Sequence, residues 1–168
     1  FDRSDKKYRK YLARNFIKKK SGVKMDRELK RSIILDNYQN PYHRLRHDSD
    51  NSYLKLNSRN VSCIDNIDVY LKMNKDIIED ISFEGEACVI SISTTSIMAS
   101  TLKGKTIDEA IKIIESYDKM IEEEPYDEKI LGEAIVYDDI AKQPSRKKCA
   151  TLTWNGVYQK LISLKEKN

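Results

Sequence analysis

Residues 66–74 (NIDVYLKMN) alternate without a break: Ile67, Val69, Leu71 and Met73 share one side, and Asp68, Tyr70, Lys72 and Asn74 the other. Successive side chains of a strand point to opposite faces, so this run specifies a strand with one apolar and one wet face. A helix would scatter the same four apolar side chains around its circumference. Two shorter runs flank it. Ser52–Asn57 places Leu54 and Leu56 on one face, and Ile77–Glu84 places Ile77, Ile81 and Phe83 on one face, with Glu79 interrupting. The polar turn Met73-Asn74-Lys75-Asp76 is short enough to join the last two runs as a hairpin. Three such runs predict an antiparallel sheet covered on a single side.

The cover has to be helical. From Asp26 to Asn40, the residues Leu29, Ile33, Ile34 and Tyr38 fall on one helical face, and Pro41 ends the helix. Tyr42 to Asn51 reads as a polar loop. Beyond Cys88 the pattern is helical throughout. Thr106 with Glu109 forms a capping box, followed by the stripe Ile107, Ala110, Ile111, Ile114, Tyr117 and Ile121. Glu122–Asp127 is a loop, Glu128–Ala141 a short helix, and Gln143-Pro144-Ser145 a break. A last helix from about Arg146 to Lys165 carries Ala150, Trp154, Val157, Leu161 and Leu164 at core spacing. Strands first and helices after is the α+β order. The expected fold is a three-stranded antiparallel sheet with helices packed on one face, in a single domain.

Charge divides the chain. Residues 1–24 hold ten Lys and Arg against Asp2 and Asp5, a net +8, whereas residues 25–168 carry 21 basic and 25 acidic residues. The expected organisation is a flexible basic N-terminal extension over 1–24 and one folded domain over 25–168, with Met25 a possible original start. A mildly acidic body gives no nucleic-acid footprint, and no run approaches the roughly 20 apolar residues of a membrane span. No signal peptide is legible, and three cysteines are an odd number for a disulfide framework. A cytoplasmic protein with free thiols is expected, with neither membrane nor nucleic acid as partner.

Chemistry concentrates at the strand ends. Cys63 and Asp65 lie between two expected strands, Cys88 lies where the third gives way to a helix, and Cys149 lies near the start of the last helix. A thiol at a helix N-terminus has its thiolate favoured by the dipole and the free amides. Three thiolates and a carboxylate suit tetrahedral Zn²⁺, and the same sulfurs suit iron–sulfur chemistry. Spacing alone leaves open the plainer reading, in which the cysteines are three separate small apolar residues.

The flanking residues carry a resemblance. Ile33-Ile34-Leu35-Asp36-Asn37-Tyr38-Gln39-Asn40-Pro41, Cys63-Ile64-Asp65, Phe83-Glu84-Gly85-Glu86-Ala87-Cys88-Val89-Ile90-Ser91, Lys103-Gly104-Lys105 and Pro144-Ser145-Arg146-Lys147-Lys148-Cys149-Ala150-Thr151-Leu152-Thr153-Trp154 occur in this order. Together, over about Asp26 to Leu164, they resemble the SufU branch of the IscU-like iron–sulfur assembly family. The Glu122–Pro144 insertion and Lys148, where scaffold members have a histidine, favour that branch.

The resemblance implies Zn²⁺ held by Cys63, Asp65, Cys88 and Cys149. It implies Cys63 as acceptor of persulfide sulfur from a cysteine desulfurase (a SufS-like partner), with a downstream sulfur or cluster acceptor and Arg146 steadying the thiolates. The chain would then act as a zinc-dependent sulfurtransferase. The alternative it implies is a scaffold for a transient [2Fe–2S] cluster on the same residues. A third reading makes the zinc structural and the basic extension a binding arm. Ile64 stands where the family has glycine, which predicts a differently shaped Cys63 loop. Asn37 replaces a usual histidine, and Tyr42-His43 a usual Arg-Asn.

Other candidates read as structural. His43 and His47 are expected to be surface residues. The hydroxyls of Ser91, Ser93, Thr94, Thr95, Ser96 and Ser100 are expected to let a helix pack closely. Trp154 is expected in the core, and Glu122-Glu123-Glu124 in a solvated loop.

Overall fold

A computed structural model describes residues 25–167. Its elements run α1 (Arg27–Gln39), β1 (Tyr53–Arg59), β2 (Asn66–Asn74), β3 (Ile77–Glu86), α2 (Val89–Leu102), α3 (Ile107–Ile121), two 3-10 segments (Glu128–Ile130 and Gly132–Lys142) and α4 (Pro144–Glu166). The sheet has the order β1-β2-β3, antiparallel throughout, so the α+β expectation holds among the described residues. The basic extension expected over 1–24 lies outside them. No helix of the described residues is long and apolar enough to cross a membrane.

The alternation of β2 sets the layers. Ile67, Val69 and Leu71 are fully buried on the inner face, which α2 covers at β3 and α4 at β1 and β2; α1 packs on α2, α3 on α4, and the second 3-10 segment on both of the covering helices. A bulge between Lys72 and Met73 shifts the register of β3. Ile78 therefore points inward with Ile81 and Phe83, while Ile77, expected inside, is 42% exposed. Helix α4 lies so close to β1 that a Cβ on Gly156 would stand 2.7 Å from Ser58 Oγ.

The outer face departs from expectation. Segment 42–51 returns along the free edge of β3, with Leu45 N–H donating to Phe83 O and Phe83 N–H to His43 O. It then crosses the sheet, where His47 stacks on Tyr53 with ring centroids 3.8 Å apart. Tyr70, expected to face water, is fully buried beneath this segment and its hydroxyl donates to Asp48 Oδ1 at 2.6 Å. His43 is likewise engaged rather than a plain surface residue, its Nδ1 lying 3.1 Å from Asp80 Oδ1.

The expected helix over 128–141 forms as 3-10 turns. Its buried residues Leu131, Ala134, Tyr137 and Ile140 recur every third position, which aligns them on one edge of a 3-10 helix but not of an α-helix. Gly132 opens the second segment at φ +55°, a conformation that glycine adopts at little cost.

Helix α2 lies at the centre. Ser91, Ser93, Thr94, Thr95 and Ser96 are all fully buried, as close packing requires, and each hydroxyl is hydrogen-bonded. Thr94 Oγ1 receives Trp154 Nε1–H at 2.8 Å, and Tyr117, stacked on Trp154, donates to Ala150 O at 2.7 Å. These bonds tie the start of α4 to α2 and α3 beside Cys149.

Candidate metal centre

The hairpin between β1 and β2 is held by Asn60. Its side-chain oxygen accepts from Ser62 N–H and Ser62 Oγ–H, its carbonyl accepts from Cys63 N–H, and its own N–H donates to Asp65 O. These bonds present Cys63 at the tip while Asp65 turns inward. Ile64 is 70% exposed and is not among the positive-φ residues, so the loop accommodates it without left-handed strain. Beneath the loop, Gly85 at φ +152° runs so close to β2 that a Cβ would lie 2.2 Å from Asn66 O. Only glycine lets β3 reach Cys88 along this path.

Cys88 is the N-cap of α2, its Sγ accepting from Ser91 N–H at 3.5 Å. Cys149 comes from the second turn of α4, whose opening turn carries Pro144. The structure brings Cys63, Asp65, Cys88 and Cys149 together, with one ligand atom from each, all within 4.8 Å of one another. Arg146 is exposed about one turn ahead of Cys149 and makes no hydrogen bond to any of the four.

Asp65 is 0% exposed. Burial raises its carboxyl pKa, but hydrogen bonds from Ser91 Oγ (2.6 Å), Cys88 N–H (2.8 Å) and the Cys149 and Cys88 thiols outweigh burial and hold it below the ordinary value. Burial, followed by the Asp65 carboxylate and Cys88, pushes the Cys149 thiol up. Among the described residues no cationic side chain pairs with Asp65.

A buried carboxylate and three thiols with no cation beside them are a donor set that suits a divalent soft-to-borderline metal. The fit is also geometric: Zn–S bonds of about 2.3 Å set tetrahedral S–S edges of about 3.8 Å, within about 1 Å of the observed spread. Ser91 is the site residue that the sequence reading assigned to packing. Its position three residues after Cys88, facing the same side of the first turn, was the only signal for it.

A family model for the NifU-like N terminal domain matches residues 29–150. The chain is 36% identical over 131 residues to the zinc-dependent sulfurtransferase SufU of Bacillus subtilis, spanning 77% of this chain and 86% of that one. It is 34% identical over 129 residues to the iron–sulfur cluster assembly scaffold protein IscU of Streptococcus pyogenes, spanning 76% and 79%. A solved structure from Fervidobacterium islandicum, named as a candidate iron–sulfur cluster assembly scaffold protein for the SUF system, superimposes with a TM-score of 0.67 at 29% identity over 74% of this chain and 90% of that one. From its sequence and its fold, this chain belongs to the NifU-like N-terminal domain family, the family of the iron–sulfur cluster assembly proteins SufU and IscU.

Proposed function

We propose that the chain is a zinc-dependent sulfur acceptor in iron–sulfur cluster assembly, receiving sulfur on Cys63 from a cysteine desulfurase. The observation that carries this reading is the unequal exposure of three thiols in one donor set: Cys63 is exposed, Cys88 half-buried and Cys149 buried. Cys63 is therefore the thiol most open to a partner, and Cys149 the least.

Cys63, Asp65, Cys88 and Cys149 would hold the metal. Bound zinc would keep the thiols deprotonated at neutral pH and offset the buried charge of Asp65. Cys88 and Cys149 anchor the set from two helices, and Ser91 and the Cys88 amide orient Asp65. The Cys63 thiolate, on the hairpin tip, attacks the outer sulfur of a persulfide on the desulfurase cysteine. The S–S bond there breaks, the desulfurase thiolate leaves, and the sulfane sulfur ends bonded to Cys63 Sγ with no net oxidation. Arg146 contributes long-range attraction for the thiolates from the start of α4.

A second reading, the scaffold, is favoured by the likeness to the Streptococcus pyogenes protein and by the three thiols. Lys148 weighs against it, being an exposed ammonium where a nitrogen ligand would be required. The purified protein is expected to hold about one zinc per chain, the capacity of one tetrahedral donor set. After incubation with desulfurase and cysteine, mass spectrometry is expected to find one added sulfur atom on Cys63. Full stimulation of the desulfurase by Cys63→Ala refutes the acceptor reading, and a stable visible chromophore after anaerobic reconstitution supports the scaffold.

A further inference from the structure

Cys63 borders more than the donor set. On its other side, over the outer face of the sheet, lies an open cleft of about 410 Å³ that it lines together with Ile64, Arg46, Arg59, Asp68 and Glu86. That volume is in the range of small-molecule sites, roughly 300–1,000 Å³. The charges in the cleft are of two kinds. Arg46 and Asp68 are paired with each other at 3.3 Å. Arg59 and Glu86 make no side-chain hydrogen bond or ion pair among the described residues, although both face the cleft.

The register explains the arrangement. Arg59 pairs with Asn66 across β1 and β2, and Asn66 pairs with Glu86 across β2 and β3, so the three form one row on the outer face. Two strand spacings place the backbones of Arg59 and Glu86 about 10 Å apart. An unmatched cation and an unmatched anion therefore stand at the two ends of one row, with a polar amide between them and an exposed thiol above. Their complement is a small molecule that carries both a carboxylate and an ammonium.

We propose that this cleft binds a small zwitterionic thiol, an amino-acid thiol in chemical class, which takes the sulfane sulfur from Cys63. The proposal rests on the reading of Cys63 as a sulfur acceptor. The carboxylate of the thiol meets Arg59, its ammonium meets Glu86, and its sulfur points to Cys63. The incoming thiolate attacks the outer sulfur of the Cys63 persulfide. The Cys63 Sγ–S bond breaks, Cys63 leaves as a thiolate, and the sulfane sulfur departs with its proton as the persulfide of the small thiol. One S–S bond replaces another, so no oxidant or reductant is required. Ile64, 70% exposed at the rim, offers apolar surface to the methylene that joins the ligand's sulfur to its charged end.

The test compares four thiols on the zinc-loaded, persulfidated chain: cysteine, 3-mercaptopropionate, cysteamine and 2-mercaptoethanol. Discharge rates are corrected for thiolate fraction. Cysteine is expected to saturate and to exceed 2-mercaptoethanol by roughly tenfold or more, the worth of a hydrogen bond to an ionised group, with the two singly charged thiols between. In Arg59→Gln and in Glu86→Gln the selectivity ratio is expected to fall toward unity. Equal corrected rates for all four thiols overturn the proposal. So does a loss of desulfurase-dependent loading in those variants with thiol selectivity intact, which would make the row a protein-docking surface. A separate arm needs no loading: S-methyl-L-cysteine is expected to shift the amide resonances of Arg59, Ile64 and Glu86. Absence of those shifts overturns the subsite whatever the fate of Cys63, whereas shifts with no sulfur on Cys63 refute the acceptor reading and leave the zwitterion site standing.

Discussion

Replacing Ser91 by alanine removes one oxygen from the wall of the metal centre and leaves all four donor residues in the chain. Ser91 Oγ lies 2.6 Å from Asp65 Oδ2 and 3.1 Å from Cys149 O, and the residue is fully buried. No water can replace the lost donor without opening the core. Asp65 keeps its bond from the Cys88 amide at 2.8 Å, so the carboxylate loses one of its two short hydrogen bonds. A hydrogen bond to an ionised group is worth about 1.5–3 kcal/mol. Loss of a group that orients a ligand costs metal affinity about 10–100-fold, or about 1.4–2.7 kcal/mol. The two estimates agree, so Ser91→Ala is expected to bind zinc 10–100-fold more weakly in a competition titration with a chromophoric chelator. In an Asp65→Asn background the same change is expected to cost less than about 0.5 kcal/mol, because the charge it serves is gone. Zinc affinity within threefold of the parent in Ser91→Ala would refute the assignment and return Ser91 to packing alone.

Two further predictions concern the frame. Gly85→Ala places a Cβ 2.2 Å from Asn66 O in a left-handed conformation. About 2–5 kcal/mol of stability should be lost in urea unfolding, from strain and overpacking together, and a loss under 1 kcal/mol would show that β3 can move aside. Lys30, buried on α1, donates to Asp138 at 2.6 Å and Asp139 at 3.1 Å. Burial lowers the Lys30 ammonium pKa, but its hydrogen bonds with the two carboxylates raise it more. The hydrogen bond from Lys30 holds Asp139 below its ordinary value. A depressed carboxyl contributes stability above its unfolded pKa and loses it as pH falls through the folded one. Lys30→Met is therefore expected to cost about 1 kcal/mol at neutral pH, discounted because Asp139 is half exposed. The difference from the parent should shrink below about pH 4, the unfolded Asp value. A deficit that grows on acidification would contradict the sign.

Much of the fold was legible because periodicity is a local property. The alternation of Ile67, Val69 and Leu71 specified β2 with the bounds the structure has, and Thr106 with Glu109 marked the start of α3. The four donors were legible through the motifs around them, although spacing alone left them as separate cysteines. What escaped the sequence depends on contacts between distant segments. Tyr70 was expected in water because nothing local announces that residues 42–51 fold back over the sheet. Ile77 and Ile78 exchanged places because a bulge moves the register by one residue. Ser91 passed for a packing hydroxyl because its partner, Asp65, lies 26 residues away. The unequal exposure of three chemically identical thiols also waited on tertiary structure. A cysteine's identity sets what it can bind, but burial is a property of what surrounds it. The sequence by itself determined which atoms could hold a metal, and the packing of α2 and α4 beneath the hairpin decided that Cys63 is the exposed one of the three while Cys88 is half-buried and Cys149 buried.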